Sequence, residues 1–224
     1  MRQLTVFFSL LSLCVSANPF TLYASNSGLI HSDVRCIEQG EKYIWIGTQA
    51  GINRILFKGS LPVHFSKRAT SVPVTALEDD GDVIWAGLKG KGVYQMLKKN
   101  FKLIGFRKDV LRNKEILNIE RTKNGLVVFT SGQKYVFSFG KEEYSVSEIN
   151  FEKYNPNIEV GGKIIKNKGG VLSRFNLKTK SFRPFKGTIN ARGHLSWKNG
   201  VLFATSKGLC FYNPNNDTIQ FGSP

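Results

Sequence analysis

The stretch Tyr43-Ile44-Trp45-Ile46-Gly47-Thr48-Gln49-Ala50-Gly51-Ile52 returns as Val83-Ile84-Trp85-Ala86-Gly87-Leu88-Lys89-Gly90-Lys91-Gly92-Val93. Trp45 and Trp85 stand 40 residues apart, as do Gly47 and Gly87. Each copy is a short apolar run rich in β-branched and aromatic residues, closed by a glycine turn and followed by a second apolar run, Ile52 to Phe57 or Val93 to Leu97. Such a run reads as a strand, and the pair as a hairpin. Fainter copies run from Leu126 to Tyr135, Ile164 to Val171 and Val201 to Leu209. The turn-closing position falls at Gly51, Gly92, Lys134, Gly170 and Gly208, at spacings of 41, 42, 36 and 38. Self-similarity at a fixed period of this length marks a repeat architecture.

Each hairpin is flanked by further strands. One precedes it, as in Val34-Arg35-Cys36-Ile37, and one follows it, as in Val63-His64-Phe65 or Phe101 to Phe106. Long amphipathic helical patterns are missing. Four strands in about 40 residues is the arithmetic of a propeller blade. The reading is therefore all-β: a β-propeller of about five four-stranded blades, over 28–65, 73–106, 115–149, 157–185 and 189–221. Trp45 and Trp85 are expected to pack between blades. Gly47, Gly51, Gly87, Gly92, Gly170 and Gly208 suit tight turns and close approach of neighbouring chain.

Gly28-Leu29-Ile30-His31-Ser32-Asp33-Val34-Arg35-Cys36-Ile37, with Ile44-Trp45-Ile46-Gly47-Thr48 and Gly51-Ile52, resembles the two-component regulator propeller repeat. The second copy keeps Trp85, Gly87, Gly90 and Gly92 but carries Leu88 for the threonine, and the later copies keep only the pattern. The resemblance implies the sensory propeller of a bacterial signalling receptor, usually seven-bladed, placed before a membrane helix and an output domain. It implies a binding module rather than catalysis. Further blades and an output domain are then partners outside this chain.

Asn18 to Tyr23 reads as an additional outer strand, yet the fifth unit already has its own fourth strand at Thr218 to Phe221. Two readings follow. Either five blades close in an irregular ring, or the chain is the N-terminal portion of a larger propeller, and the second is preferred. An open arc would expose apolar blade faces.

Ahead of the repeats, Met1-Arg2 gives a positive start, Leu4 to Val15 an apolar run, and Val15-Ser16-Ala17 small residues at a cleavage site. This is the pattern of a secretory signal peptide over 1–17, too short to span a bilayer at about 20 residues. Leu13 before Cys14 argues against lipidation. The expected location is periplasmic or secreted.

The chain of 224 residues has 32 Lys+Arg against 16 Asp+Glu, a net charge of +16. Lys89 to Lys123 holds 11 basic and three acidic residues. The excess predicts attraction to something acidic, such as an acidic polysaccharide, lipopolysaccharide or an anionic membrane surface, and a protein partner is the other expectation. Nucleic acid is not expected for an exported chain. The binding face is expected where the turns between second and third strands meet the loops leading into the blades. His31, Arg68, Lys89 and Lys91 are the candidate ligand-binding residues there, for hydrogen bonding and anion pairing. His194 is placed in such a loop as well, and His64 in an outer strand.

No catalytic set emerges. No Gly-x-Ser-x-Gly elbow precedes a helix, Gly161-Gly162 and Gly169-Gly170 lack the phosphate-loop ending, and no histidine has a partner at metal-ligand spacing. No cofactor and no metal are expected. Glu78-Asp79-Asp80-Gly81-Asp82 reads as an acidic hairpin turn rather than a Ca²⁺ loop. Cys36 and Cys210 lie on strands of the first and fifth units, where a closed ring makes a disulfide conceivable. The competing classes are a propeller lyase or hydrolase and a protein scaffold.

Overall fold

The computed structural model describes residues 28–58, 61–149, 158–160, 163–168, 171–176, 178–184, 191–197, 200–215 and 218–219. The signal segment, the strand expected at Asn18 to Tyr23, and Gly170 lie outside them. The chain forms five four-stranded antiparallel sheets, each a meander in sequence order. The first holds β1 (Val34–Gln39), β2 (Tyr43–Thr48), β3 (Gly51–Lys58) and β4 (Leu61–Ala69). The second holds β5 (Val74–Asp80), β6 (Val83–Leu88), β7 (Gly92–Leu97) and β8 (Leu103–Phe106), followed by a single helical turn, α1 (Lys108–Leu111). The third holds β9 (Ile116–Thr122), β10 (Gly125–Thr130), β11 (Gln133–Ser138) and β12 (Tyr144–Glu148). The fourth holds β13 (Ile158–Val160), β14 (Lys163–Lys168), β15 (Val171–Asn176) and β16 (Ser181–Pro184). The fifth holds β17 (Ala191–Trp197), β18 (Gly200–Thr205), β19 (Gly208–Asn213) and β20 (Thr218–Ile219).

The first strands of four of the sheets pack together on the inner side: β1 packs against both β5 and β17, and β5 against β9. Sheets set this way bury both faces, which explains why the repeat motif is apolar without alternation. Along β2, Ile44 and Ile46 join Val34, Ile37 and Ile55 against Leu202, Ala204 and Leu209 of the fifth sheet. Trp45, between them, points the other way with Ile52, into Val74, Leu77, Ile84, Ala86 and Met96 of the second. Trp85 repeats this step into the third sheet, against Ile116, Ile119, Leu126 and Val128. Val201, Phe203, Cys210 and Tyr212 of the fifth sheet pack on Ile158 and Ile165 of the fourth.

The fold is thus all-β and of propeller type. The fifth sheet packs directly on the first, which makes a seam between them. Its physical cause is the apolar face of β1 and β2, which finds its cover in β18 and β19. The turn-closing residue of the third copy is Gln133 rather than Lys134, since Phe129 pairs with Lys134 and β11 begins one residue earlier. In the fourth copy Lys168 pairs with Val171, so Val171 rather than Gly170 opens the third strand.

Two motif glycines answer to the seams. A Cβ on Gly47 would stand 2.3 Å from Cys36 Sγ and 2.8 Å from Val74 Cγ1. On Gly87 it would stand 2.8 Å from Ile116 Cβ. Val74 and Ile116 are equivalent residues, near the start of the next inner strand, so the glycine makes the space into which the neighbouring sheet inserts.

Candidate binding face and the interior of the ring

Backbone hydrogen bonds locate one end of the assembly. The Gln49 N–H donates to the Asp33 carbonyl, Thr70 to Ala50, and Lys89 to Pro73, each at 2.9 Å. These bonds tie the turns β2–β3 and β6–β7 to the connections leading into β1 and β5. His31, Arg68, Lys89 and Lys91 all fall on this end. His31 precedes β1, and its Nδ1 accepts from the Asp33 N–H at 2.9 Å. Arg68 is exposed near the end of β4, opposite Ile52. Lys89 and Lys91 flank Gly90 in the β6–β7 turn, and Lys91 Nζ donates to Ser71 Oγ at 2.7 Å. His194 is not in a loop: it lies within β17, paired with Phe203.

A cleft of about 550 Å³ opens on the same end, lined by Lys91, Tyr94, Asp109 and Arg112. The last two come from α1 and the turn after it, in a connection with no periodic signature in the sequence. The chain is fixed there by Leu111, fully buried among Val93 and Ile116, and by Asn113 N–H donating to the Gly90 carbonyl. A Cβ on Gly92, whose φ is +84°, would stand 2.9 Å from the Leu111 carbonyl oxygen. A left-handed glycine is therefore what lets β7 pass under the helical turn.

Beside the axis, at the seam of first and fifth sheets, Asp33 binds two arginines. Arg192 from β17 donates to it, and Arg35 from β1 does so at 3.4 Å while also donating to Gln49 Oε1 at 2.8 Å. Partly exposed pairs of this kind are each worth little. We expect a double-mutant cycle of Asp33→Ala and Arg192→Ala, read by urea denaturation, to give a coupling of about 0.5–1 kcal/mol that fades with salt. No coupling would remove the ion pair as a clasp of the seam.

Deeper in the ring a second device repeats. Glu38, Glu78 and Glu120 occupy the same register, opposite Trp45, Trp85 and Val127. Each glutamate of the first two sheets faces the next inner strand. The Glu78 carboxylate accepts the Arg121 backbone N–H at 2.7 Å, and Glu38 accepts that of Asp79. An innermost strand leaves its inner N–H groups without a ladder partner, and the neighbouring glutamate supplies one. Burial, reinforced by the charges of Glu78 and Asp79, pushes the Glu38 carboxyl up to about 7. Glu78 is raised as well, mainly by burial, against the pull of its bond to Arg121.

The acidic turn is accounted for within the fold. Asp79 pairs with Lys98 at 2.6 Å, Asp80 with Arg121 at 2.8 Å, and Trp85 Nε1 donates to Asp80 at 3.0 Å. Gly81 and Asp82 make the turn itself. Among the described residues no group of three or more His, Cys, Asp or Glu is arranged to hold a metal ion.

Cys36 and Cys210 are not joined by a disulfide although their sheets adjoin. The pleat separates them: Cys36 faces the second sheet and contacts the Val74 carbonyl, whereas Cys210 faces the fourth. Burial pushes the Cys210 thiol up to about 12 and Cys36 up as well. Thiols so raised stay protonated and unreactive.

No protein-family model and no curated protein matches the sequence. Among solved structures, one similar chain is described as the extracellular domain of a one-component system from B. thetaiotaomicron, at 14% identity and TM-score 0.44 over 86% of this chain. Another is described as the extracellular domain of a hybrid two-component system from the same organism, at 22% identity and TM-score 0.42 over 82%. The computationally designed Ika8 protein aligns at 12% identity and TM-score 0.41 over 80%. This chain spans 28% of the length of each of the two bacterial domains. Among the described residues no helix is long and apolar enough to cross a membrane.

Proposed function

We propose that the chain is an extracytoplasmic recognition module of a signalling system, binding an acidic ligand non-covalently on the end of the ring that carries the β2–β3 and β6–β7 turns. The observation that carries this reading is the convergence of Arg68, Lys89, Lys91 and Arg112 on that end, with Lys91 and Arg112 lining one cleft. Cationic loops held on a rigid sheet framework attract anions at long range and orient them at short range. The resemblance of the first two repeats to the two-component regulator propeller supports the sensory role. The interior carboxylates are engaged with backbone amides and cations, which favours a structural role for them over acid-base chemistry.

The test is retention of the chain on immobilised polygalacturonate at low salt, against a variant with His31, Arg68, Lys89 and Lys91 all changed to alanine. We expect the variant to elute at markedly lower salt than the wild type, because each cation removed weakens an attraction that screening already limits. Unchanged elution would sink the assignment of this face.

A further inference from the structure

We propose that the cleft between β7 and α1 takes a small carboxylate-bearing molecule that also presents a hydrogen-bond donor, hydroxyl or ammonium, a few ångströms from the carboxylate. This rests on the reading of that end as the binding face and goes further by naming the ligand's chemistry.

The connection that builds the cleft is unlike its counterpart. Between the first and second sheets the chain crosses from Ala69 to Val74 in a few residues, whereas between the second and third it runs from Phe106 to Ile116 and includes α1. Non-glycine residues in the left-handed region bracket the helical turn, Arg107 at φ +43° and Asn113 at φ +62°. For an arginine this conformation is sterically unfavourable, and it persists because Leu111 is locked into the core below. Strain held in a loop by a rigid base is a pointer to function.

The charges in the cleft select the ligand. Asp109 and Arg112 are three residues apart, a spacing at which opposite charges on a helical turn attract. Yet neither makes an ion pair among the described residues. Both are exposed and line the same space with Lys91 and Tyr94. Lys91 is steadied at the rim by Ser71. Two cations invite an anionic group. Asp109 beside them repels a ligand that is anionic throughout and rewards one that brings a donor. Tyr94, half-buried on β7, offers a ring wall. A hydroxy acid of sugar size and an amino acid share the required chemistry.

Isothermal titration of the purified chain distinguishes them. The probes are D-galacturonate and L-serine, with D-galactose and ethanolamine as counterparts lacking the carboxylate and inorganic phosphate as an anion of high charge. We expect one of the two acids to bind at least about tenfold more tightly than its counterpart lacking the carboxylate and than phosphate. Arg112→Ala should weaken that acid about tenfold, and Asp109→Asn should weaken it while improving phosphate. Both side chains are exposed, and circular dichroism confirms that each variant is folded. Binding by neither acid, equal binding of phosphate, or an Arg112→Ala variant that binds as wild type would overturn the proposal. If the chain is still retained on polygalacturonate in that case, the recognition face stands and only the cleft's ligand class falls. Loss of both removes both.

Discussion

Replacing Trp45 by alanine is expected to cost about 4 kcal/mol of folding stability, a large share of the 5–15 kcal/mol typical of a domain. The ring is 1% exposed. It lies edge-on to Tyr43 at 6.4 Å between centroids and tilted against Phe101 at 6.0 Å, so it joins a strand of the first sheet to the outer part of the second. The Arg54 guanidinium stands over this aromatic group, 4.6 Å from Tyr43 and 5.0 Å from Phe101, and donates to the Lys98 carbonyl at 3.3 Å. Truncation would leave a cavity at the seam and loosen the cover of a half-buried cation. Trp45→Phe keeps an aromatic ring in the gap and should lose less than half as much. Urea denaturation of the three proteins measures this. A Trp45→Ala loss below about 1 kcal/mol would mean that the seam closes around the gap and that the tryptophan is not its keystone.

Trp45 and its repeat at Trp85 were legible in the sequence for a local reason. A strand buried on both faces writes its environment into consecutive residues, and a glycine turn then frames it. Both tryptophans, the surrounding hairpins and the all-β class follow from that local pattern. The later copies blur because smaller residues fill the same position: Val127 and Leu202 occupy the register held by the tryptophans. Contacts across seams were harder to see. Glu38 and Glu78 repeat with the tryptophan period, but what each does depends on an N–H of the next sheet about 40 residues on, Asp79 for Glu38. Read alone, Glu78 is one more acid in a polar turn. Alignment of the strands ahead of each motif is the signal that exposes the pair. Asp109 and Arg112 lie in a connection outside the repeat, so no period marks them. Of the four candidate residues named from sequence, Lys91 alone lines the cleft, and it does so because the β6–β7 turn abuts that insertion.

The glutamate device makes stability depend on pH in a direction opposite to ordinary surface carboxylates. Glu38 titrates at about 7 in the folded protein against 4.5 ordinarily, chiefly because it is taken out of water and then because Glu78 and Asp79 repel its charge. The folded state therefore holds a proton that the unfolded chain gives up. Its contribution is fully present below pH 4.5 and is lost as pH rises through 7. With solvent screening allowed for, the swing is about 1–2 kcal/mol. Glu78, raised for the same first reason, adds in the same direction. Meanwhile the excess of lysine and arginine pushes the other way, since protonating the remaining carboxylates at low pH increases repulsion in a chain already at +16. Comparison with Glu38→Gln cancels that background. The glutamine keeps an oxygen to accept the Asp79 N–H and carries no charge at any pH. At pH 8 we expect Glu38→Gln to be more stable than wild type by about 1–2 kcal/mol, and at pH 5 the two should differ by a few tenths. Urea midpoints across pH 5 to 8 read the difference. A variant less stable than wild type at pH 8 would show that the charged carboxylate is worth more as an acceptor for the neighbouring strand than it loses by burial, and the order of the two effects at this seam would be reversed.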